Sequence, residues 1–411
     1  MTRPWTSLIV FCLTALTIWA YALQAMQGMD NQPHLGWQAV GVTPMHPYAD
    51  LDLTRKQYEY LQAGHNPYTD GSYNESGIKA NYSRAMLWAM WRWYDAWGCV
   101  PWAGTAMLAV TCALLAGLCW GAPAAAGMCM ALGLGMGSGA LGLERGNSDQ
   151  MVAWLVAGLA VLPWQLDKRG QHRLAVGLFG ALAGLGILLK LFPLFALPAA
   201  LAFTQRQHRW QAVALGLLAA GIYQVADWQT LPYLFGNTPS SAKYSYGIPG
   251  MLLLIKKGAL HTALRLGLTA TVLATGLWAA WRWLEALRPT RTDWRYSLCL
   301  AGAGIFAATF LLSASYNYRL LFLLLTVPYL ALQGRRVGWT LLAGVLVYML
   351  WPFVEYKVKQ RLPLEGLLKI TLWSARQTVG LALAALAVAW LAAQAWLRLQ
   401  PGQKDPASVG V

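Results

Sequence analysis

Apolar stretches of spanning length alternate with short polar ones along almost the whole chain. They fall near residues 7–27, 100–120, 122–142, 149–166, 173–189, 210–226, 262–284, 297–314, 319–332, 337–354 and 376–397. Runs of about 20 apolar residues are what an α-helix needs to cross the hydrocarbon of a bilayer, where every backbone polar group must be satisfied internally. A shorter run, 191–203, is interrupted by Pro193 and Pro198 and predicts a broken or half-length helix, a form tolerated where it lines a cavity. The pattern predicts an all-α, polytopic transmembrane bundle of eleven or twelve segments, a single membrane domain over residues 1–398. Residues 7–27 are too long for a signal-peptide core, so they read as a retained first helix. Residues 28–99 form a polar first loop with amphipathic helices, and the tail "LQPGQKDPASVGV" reads as disordered and cytoplasmic.

Composition agrees. Of 411 residues 57% are hydrophobic and only 11% charged, far from the quarter charged of a soluble domain. A net charge of +15 would suggest nucleic acid in a soluble protein; here it suits cytoplasmic loops, anionic lipid and phosphate instead. The six cysteines include no CxxC pair and imply neither a disulfide framework nor a metal centre. The short loops "DKRGQHR", "TQRQHR", "RPTRTDWR" and "QGRR" are basic and share one side if the segments alternate, which makes that side cytoplasmic. Five polar clusters then converge on the outer face: the first loop, "ERGNSDQ", Lys190 with the 227–260 loop, "SASYNYRL" and "EYKVKQRLPLEGLLK". The outer loops carry about as many Lys and Arg as the inner ones, against the positive-inside rule. A phosphate at the membrane surface is the simplest reason.

The densest polar stretch is "HPYADLDLTRKQYEYLQAGHNPYTDG", at 46–71. Asp50-Leu51-Asp52 opens its helical run, and the two aspartates have three readings: a helix cap, a DxD pair holding a divalent cation, or a general base. In "ERGNSDQ", Asn147 or Ser148 caps the following helix and Asp149 complements its dipole, which leaves Glu144 and Arg145 as an ion pair or a phosphate contact at the membrane edge. Lys190, before the broken run, either snorkels to the interface or meets a phosphate. In "SYNYR", Tyr316 and Tyr318 fit an aromatic belt and Arg319 a second phosphate contact. Residues 355–369 read as a helix lying in the interface. The histidines, His46 and His65 among them, show no metal spacing.

Taken in order, "Asp-Leu" in the first loop, "L-x-x-G-x-x-P-Y", "ERGNSDQMVAWLVAGLAV", "KLFPLFALP" and "SYNYRLLFLLLTVPYL" resemble the GT-C glycosyltransferases. Within that superfamily they are similar to the polyprenyl-phosphate-mannose-dependent mannosyltransferase-like family. The resemblance covers roughly residues 45 to 330. It implies a GT-C fold with a structured first loop, and an enzyme transferring mannose or another hexose or pentose from a polyprenyl-phosphate carrier. It maps the catalytic base to Asp50, with Asp52 the competitor. The donor phosphate falls to Arg145, Lys190 and Arg319. Glu144, Asn147, Asp149, Tyr316, Tyr318 and His65 are the further substrate contacts.

The expectation is therefore an inverting glycosyltransferase of the cell-envelope membrane, multi-pass in the inner or plasma membrane, acting on the extracytoplasmic face. Its partners would be a polyprenyl-phosphate sugar, membrane lipids and a lipid-linked, glycolipid or protein acceptor, without nucleic acid. No cofactor is required, unless Asp50 and Asp52 hold a divalent cation. A lipid-linked glycan polymerase or ligase is the nearest alternative. A lipid-linked sugar transporter or flippase would want mid-membrane polar groups and inverted repeats. A non-catalytic scaffold would not need the aligned outer charges.

Overall fold

The computed structural model describes residues 4–27, 34–42, 48–74, 77–237, 245–312, 315–333, 336–361 and 367–399. His46 and the tail beyond Leu399, both singled out from the sequence, lie outside them. The described residues are 80% helical. Among the described residues, six helices are long and apolar enough to cross a membrane: Val100–Leu118, His172–Leu189, Ala259–Arg282, Trp294–Leu312, and the stretches Arg336–Val358 and Ile370–Leu399 of two longer helices. A bent pair of helices raises the number to seven. This is a multi-pass membrane protein.

The eleven or twelve segments of the sequence pattern are thus not all full spans. Asp149–Lys168 and Arg206–Ala226 have the length, but polar ends shorten their apolar stretch. The run 122–142 divides into Ala124–Gly135 (α1) and Gly137–Arg145 (α2), bent by 54°. The bend follows from extended backbone at Met136 and a positive φ of 55° at Gly137, where a side chain would also press on the Met349 carbonyl. It turns the end of α2, with Glu144 and Arg145, across the bundle instead of along it. The run 319–332 is likewise three short pieces, Asn317–Leu320, Leu321–Leu324 and Val327–Leu332, all packed inside. Residues 355–361 continue the helix Arg336–Arg361 through Pro352, so no separate interfacial helix begins there.

The broken run between the two prolines is a 3₁₀ helix, Phe192–Ala202. It packs against Trp294–Leu312 (α3) so closely that a Cβ on Gly304 would meet the Phe195 carbonyl oxygen at 2.0 Å. The α3 window is 94% buried, against 22% for Ala259–Arg282, so α3 is the central post and the latter helix faces lipid. The only strands among the described residues are the antiparallel pair Ser245–Tyr246 and Ser315–Tyr316.

Two features place the functional residues. Asp149–Lys168 and His172–Leu189 form an antiparallel hairpin of 20 and 18 residues, turned at Gly170 with φ 76°. Legs of matched length bring the start of the first, Asp149, back to the end of the second, Lys190. In the first loop, Ala49–Gln62 lies against Arg84–Trp97, an amphipathic helix that buries Met86, Leu87 and Met90 and exposes Trp88.

Candidate functional site

Asp50 is the second residue of the loop helix Ala49–Gln62. The helix starts after Tyr48, which holds a left-handed backbone (φ 59°, ψ 34°) rare outside glycine. Such a conformation costs about 1–3 kcal/mol and needs its surroundings to enforce it. Tyr48 donates its N–H to the Glu144 carbonyl at 2.7 Å, and its hydroxyl lies 3.3 Å from Thr105 Oγ1. Its ring sits over Gly104, where a Cβ would come within 2.2 Å of it. These contacts aim the first turn, and Asp50 with it, at the α2 end.

There Asn147 does two things. Its Oδ1 accepts the Asp149 N–H at 2.9 Å and so starts the next helix, while its Nδ2 donates to Asp50 Oδ2 at 2.5 Å. The first bond fixes the amide orientation and makes the second a donor. An aspartate at 147 would set carboxylate against carboxylate. Ser148, which the sequence left as an equal choice of cap, makes no such bond. Asp50 is not a cap either: Tyr48 holds that position, and the carboxylate goes to Asn147.

Arg145 links the acids. Its Nη1 lies 3.7 Å from Asp50 Oδ1 and its Nε 3.3 Å from Glu144 Oε2. Lys190 pairs with Asp149, and Arg319 Nε stands 3.5 Å from the other oxygen of that carboxylate. Lys190 also lies 4.8 Å from the Tyr82 ring, and Arg319 5.2 Å from Phe192. Lys190 therefore does not snorkel; it turns inward onto Asp149. Side-chain exposure separates the group, with Asp50 at 19% and Arg145 at 24% against 0% for Glu144 and 2% for Asp149. The accessible members are the Asp50 carboxylate and the Arg145 guanidinium side by side, with Arg319 at 17% close behind. Burial pushes the Asp50 carboxyl above its ordinary value, against the opposing pull of Arg145 and the Asn147 hydrogen bond.

The structure thus brings together Asp50, Glu144, Arg145, Asn147, Asp149, Lys190 and Arg319 from five segments. It does not bring in Asp52. Two residues along a helix turn it about 200° from Asp50, and it is held by Arg55 at 2.8 Å and Lys56 at 2.9 Å. Against some burial, those cations lower its pKa. The two carboxylates thus point to different sides of the helix, which argues against a shared DxD ion. Nor does any described contact bring His65 to the cluster: it stacks on Tyr60 at 4.5 Å, on the exposed side of the loop. Tyr316 lends its backbone to the short strand pair; its side chain and that of Tyr318 lie outside the described residues. Sequence reasoning missed Tyr48 and Tyr82, two loop tyrosines with nothing in their spacing to mark them.

At the far end of the hairpin a second polar group ties three helix ends. Asp167 meets His172 Nδ1 at 2.7 Å and accepts the Thr204 N–H at 2.8 Å, while the rings of His172 and His208 stack at 4.9 Å. Ligand-type atoms of Asp167, His172 and His208 lie within 4.8 Å of one another, a grouping from three segments that no linear spacing announces. Comparison with protein-family models, curated proteins and solved structures finds no match to this chain.

Proposed function

We propose that this protein is an integral-membrane glycosyltransferase that takes a sugar from a polyprenyl-phosphate carrier, with Asp50 as the general base. The observation that carries the reading is the placement of Asp50: a largely buried but still accessible carboxylate on a loop helix, held by Asn147 beside a cluster of three cations. A carboxylate with a raised pKa is a stronger base than a free aspartate, and a hydrogen bond to one oxygen leaves the other to accept a proton. Asp50 takes the proton of the acceptor hydroxyl as that oxygen attacks the anomeric carbon, and the anomeric bond to phosphate breaks in line, inverting the centre. Lys190 and Arg319, oriented by their shared Asp149, stabilise the departing phosphate. Arg145 sits between the halves and tunes the base. Such a donor presents its phosphate at the membrane surface, outside the cytoplasm on the charge pattern of the loops.

The pH profile tests the assignment. Asp50 works only when ionised, so turnover falls as the pH drops through its pKa, and that pKa lies above the ordinary 3.8. Arg145 lowers it, so Arg145→Gln moves the acid limb to higher pH, and Asn147→Ala moves it the same way. Sugar transfer measured across pH in both variants checks this. An acid limb that stays in place, or moves down, shows that Asp50 is not the titrating base.

A further inference from the structure

Arg376 is the largest side chain buried to under 2% exposure, and it lies six residues inside the membrane stretch Ile370–Leu399. A charge so deeply buried is costly and is found where it has a partner. Among the described residues no carboxylate pairs with it. One Nη donates to the Asn317 side-chain oxygen, the guanidinium stands 5.9 Å from the Tyr348 ring, and Nε is buried with no hydrogen-bond acceptor.

Several of the unsatisfied groups near it can donate, while the neighbouring Gln377 is buried with neither its amide nitrogen nor its oxygen partnered. Tyr348 is fully buried with an unpartnered hydroxyl, and that hydroxyl packs on Gly380, one turn along from Arg376, where a Cβ would come within 2.6 Å of it. Trp351, three residues on from Tyr348 and so on the same face of its helix, has a buried indole N–H without a partner. Arg376 Nε–H, Tyr348 O–H and Trp351 N–H are all donors. Donors left over around a guanidinium with no carboxylate beside it suit a ligand rich in acceptor oxygens, and a guanidinium fork matches the paired oxygens of a phosphate. Asn317, which touches Arg376, stands two residues before Arg319, so this position adjoins the charged cluster.

We infer that Arg376, with Tyr348, forms a buried binding site for a phosphate monoester, apart from the three cations paired with Glu144, Asp149 and Asp50. That an anion site exists does not depend on glycosyl transfer; that a lipid carrier supplies the phosphate rests on that reading.

The test follows the thermal unfolding midpoint of the purified full chain in micelles at constant ionic strength. Inorganic phosphate is titrated in one series and a sugar-free polyprenyl phosphate in the other. The wild type is expected to be stabilised saturably, and Arg376→Met to lose the effect. Stabilisation by both ligands assigns the phosphate itself, by the lipid alone the headgroup of a carrier, and by inorganic phosphate alone a soluble ion. No stabilisation of the wild type by either ligand, or an undiminished one in Arg376→Met, overturns the site. Should Arg376→Met not fold, Tyr348→Phe decides: a half-saturating concentration raised threefold or more supports the site, and an unchanged one overturns it. Because these ligands carry no sugar, the site can stand where sugar transfer fails, and transfer can stand where the site fails.

Discussion

Asp50→Asn is expected to slow sugar transfer by about a hundredfold or more, the scale of lost general-base catalysis, with folding and donor binding unchanged. Asparagine matches aspartate in shape, and its carbonyl oxygen can still accept from Asn147 Nδ2, the 2.5 Å bond that fixes the loop helix to the α2 end. What disappears is the capacity to take a proton. Asp52→Asn does much less, because that carboxylate is engaged with Arg55 and Lys56 on another side of the helix. Chelators leave the rate alone for the same reason. Initial rates for the two asparagine variants at matched donor saturation check the contrast, and near-wild-type turnover by Asp50→Asn leaves the residue a helix anchor only.

The largest effect on stability is expected at Asp149. It is 2% exposed in its side chain and serves two cations, Lys190 at 8% exposure and Arg319 at 17%. Asp149→Ala strands Lys190 and takes one ion-pair partner from Arg319. Removing one partner of a buried pair costs about 3–5 kcal/mol, because the remaining charge loses its compensation without regaining water. Asp149→Ala therefore lowers the thermal midpoint sharply. Adding Lys190→Met restores part of it by removing the stranded charge. A single variant as stable as the wild type means that the pair is screened by solvent and does not hold the hairpin end.

The cations of the cluster were legible because a charge at the edge of an apolar run stands out. Arg145, Lys190 and Arg319 each sit there, and the structure joins all three to the Asp50 region. Their partners were harder to read. Lys190 and Asp149 are 41 residues apart, and only the matched hairpin legs make them neighbours. Asp52 was legible and misread, since Arg55 and Lys56 at the third and fourth positions beyond it already supply an ion-pair face. The bend at Gly137 and the left-handed Tyr48 are set by tertiary contacts, the Met349 carbonyl and the Gly104 notch, that no local pattern encodes. Arg376 escaped notice because it opens the apolar run 376–397 and reads as that run's watery edge; in the structure it is enclosed by other helices.

The most direct test of the central claim is transfer itself. The purified chain is incubated with polyprenyl phosphates carrying labelled mannose, another hexose or a pentose, together with membrane-extracted lipid and glycan acceptors, and free polyprenyl phosphate is measured alongside labelled product. The account predicts that at least one donor yields inverted product and polyprenyl phosphate in equal amounts, and that Asp50→Asn forms both about a hundredfold more slowly. Carrier and sugar that stay joined for every donor, or release that proceeds equally well without the Asp50 carboxylate, would contradict it.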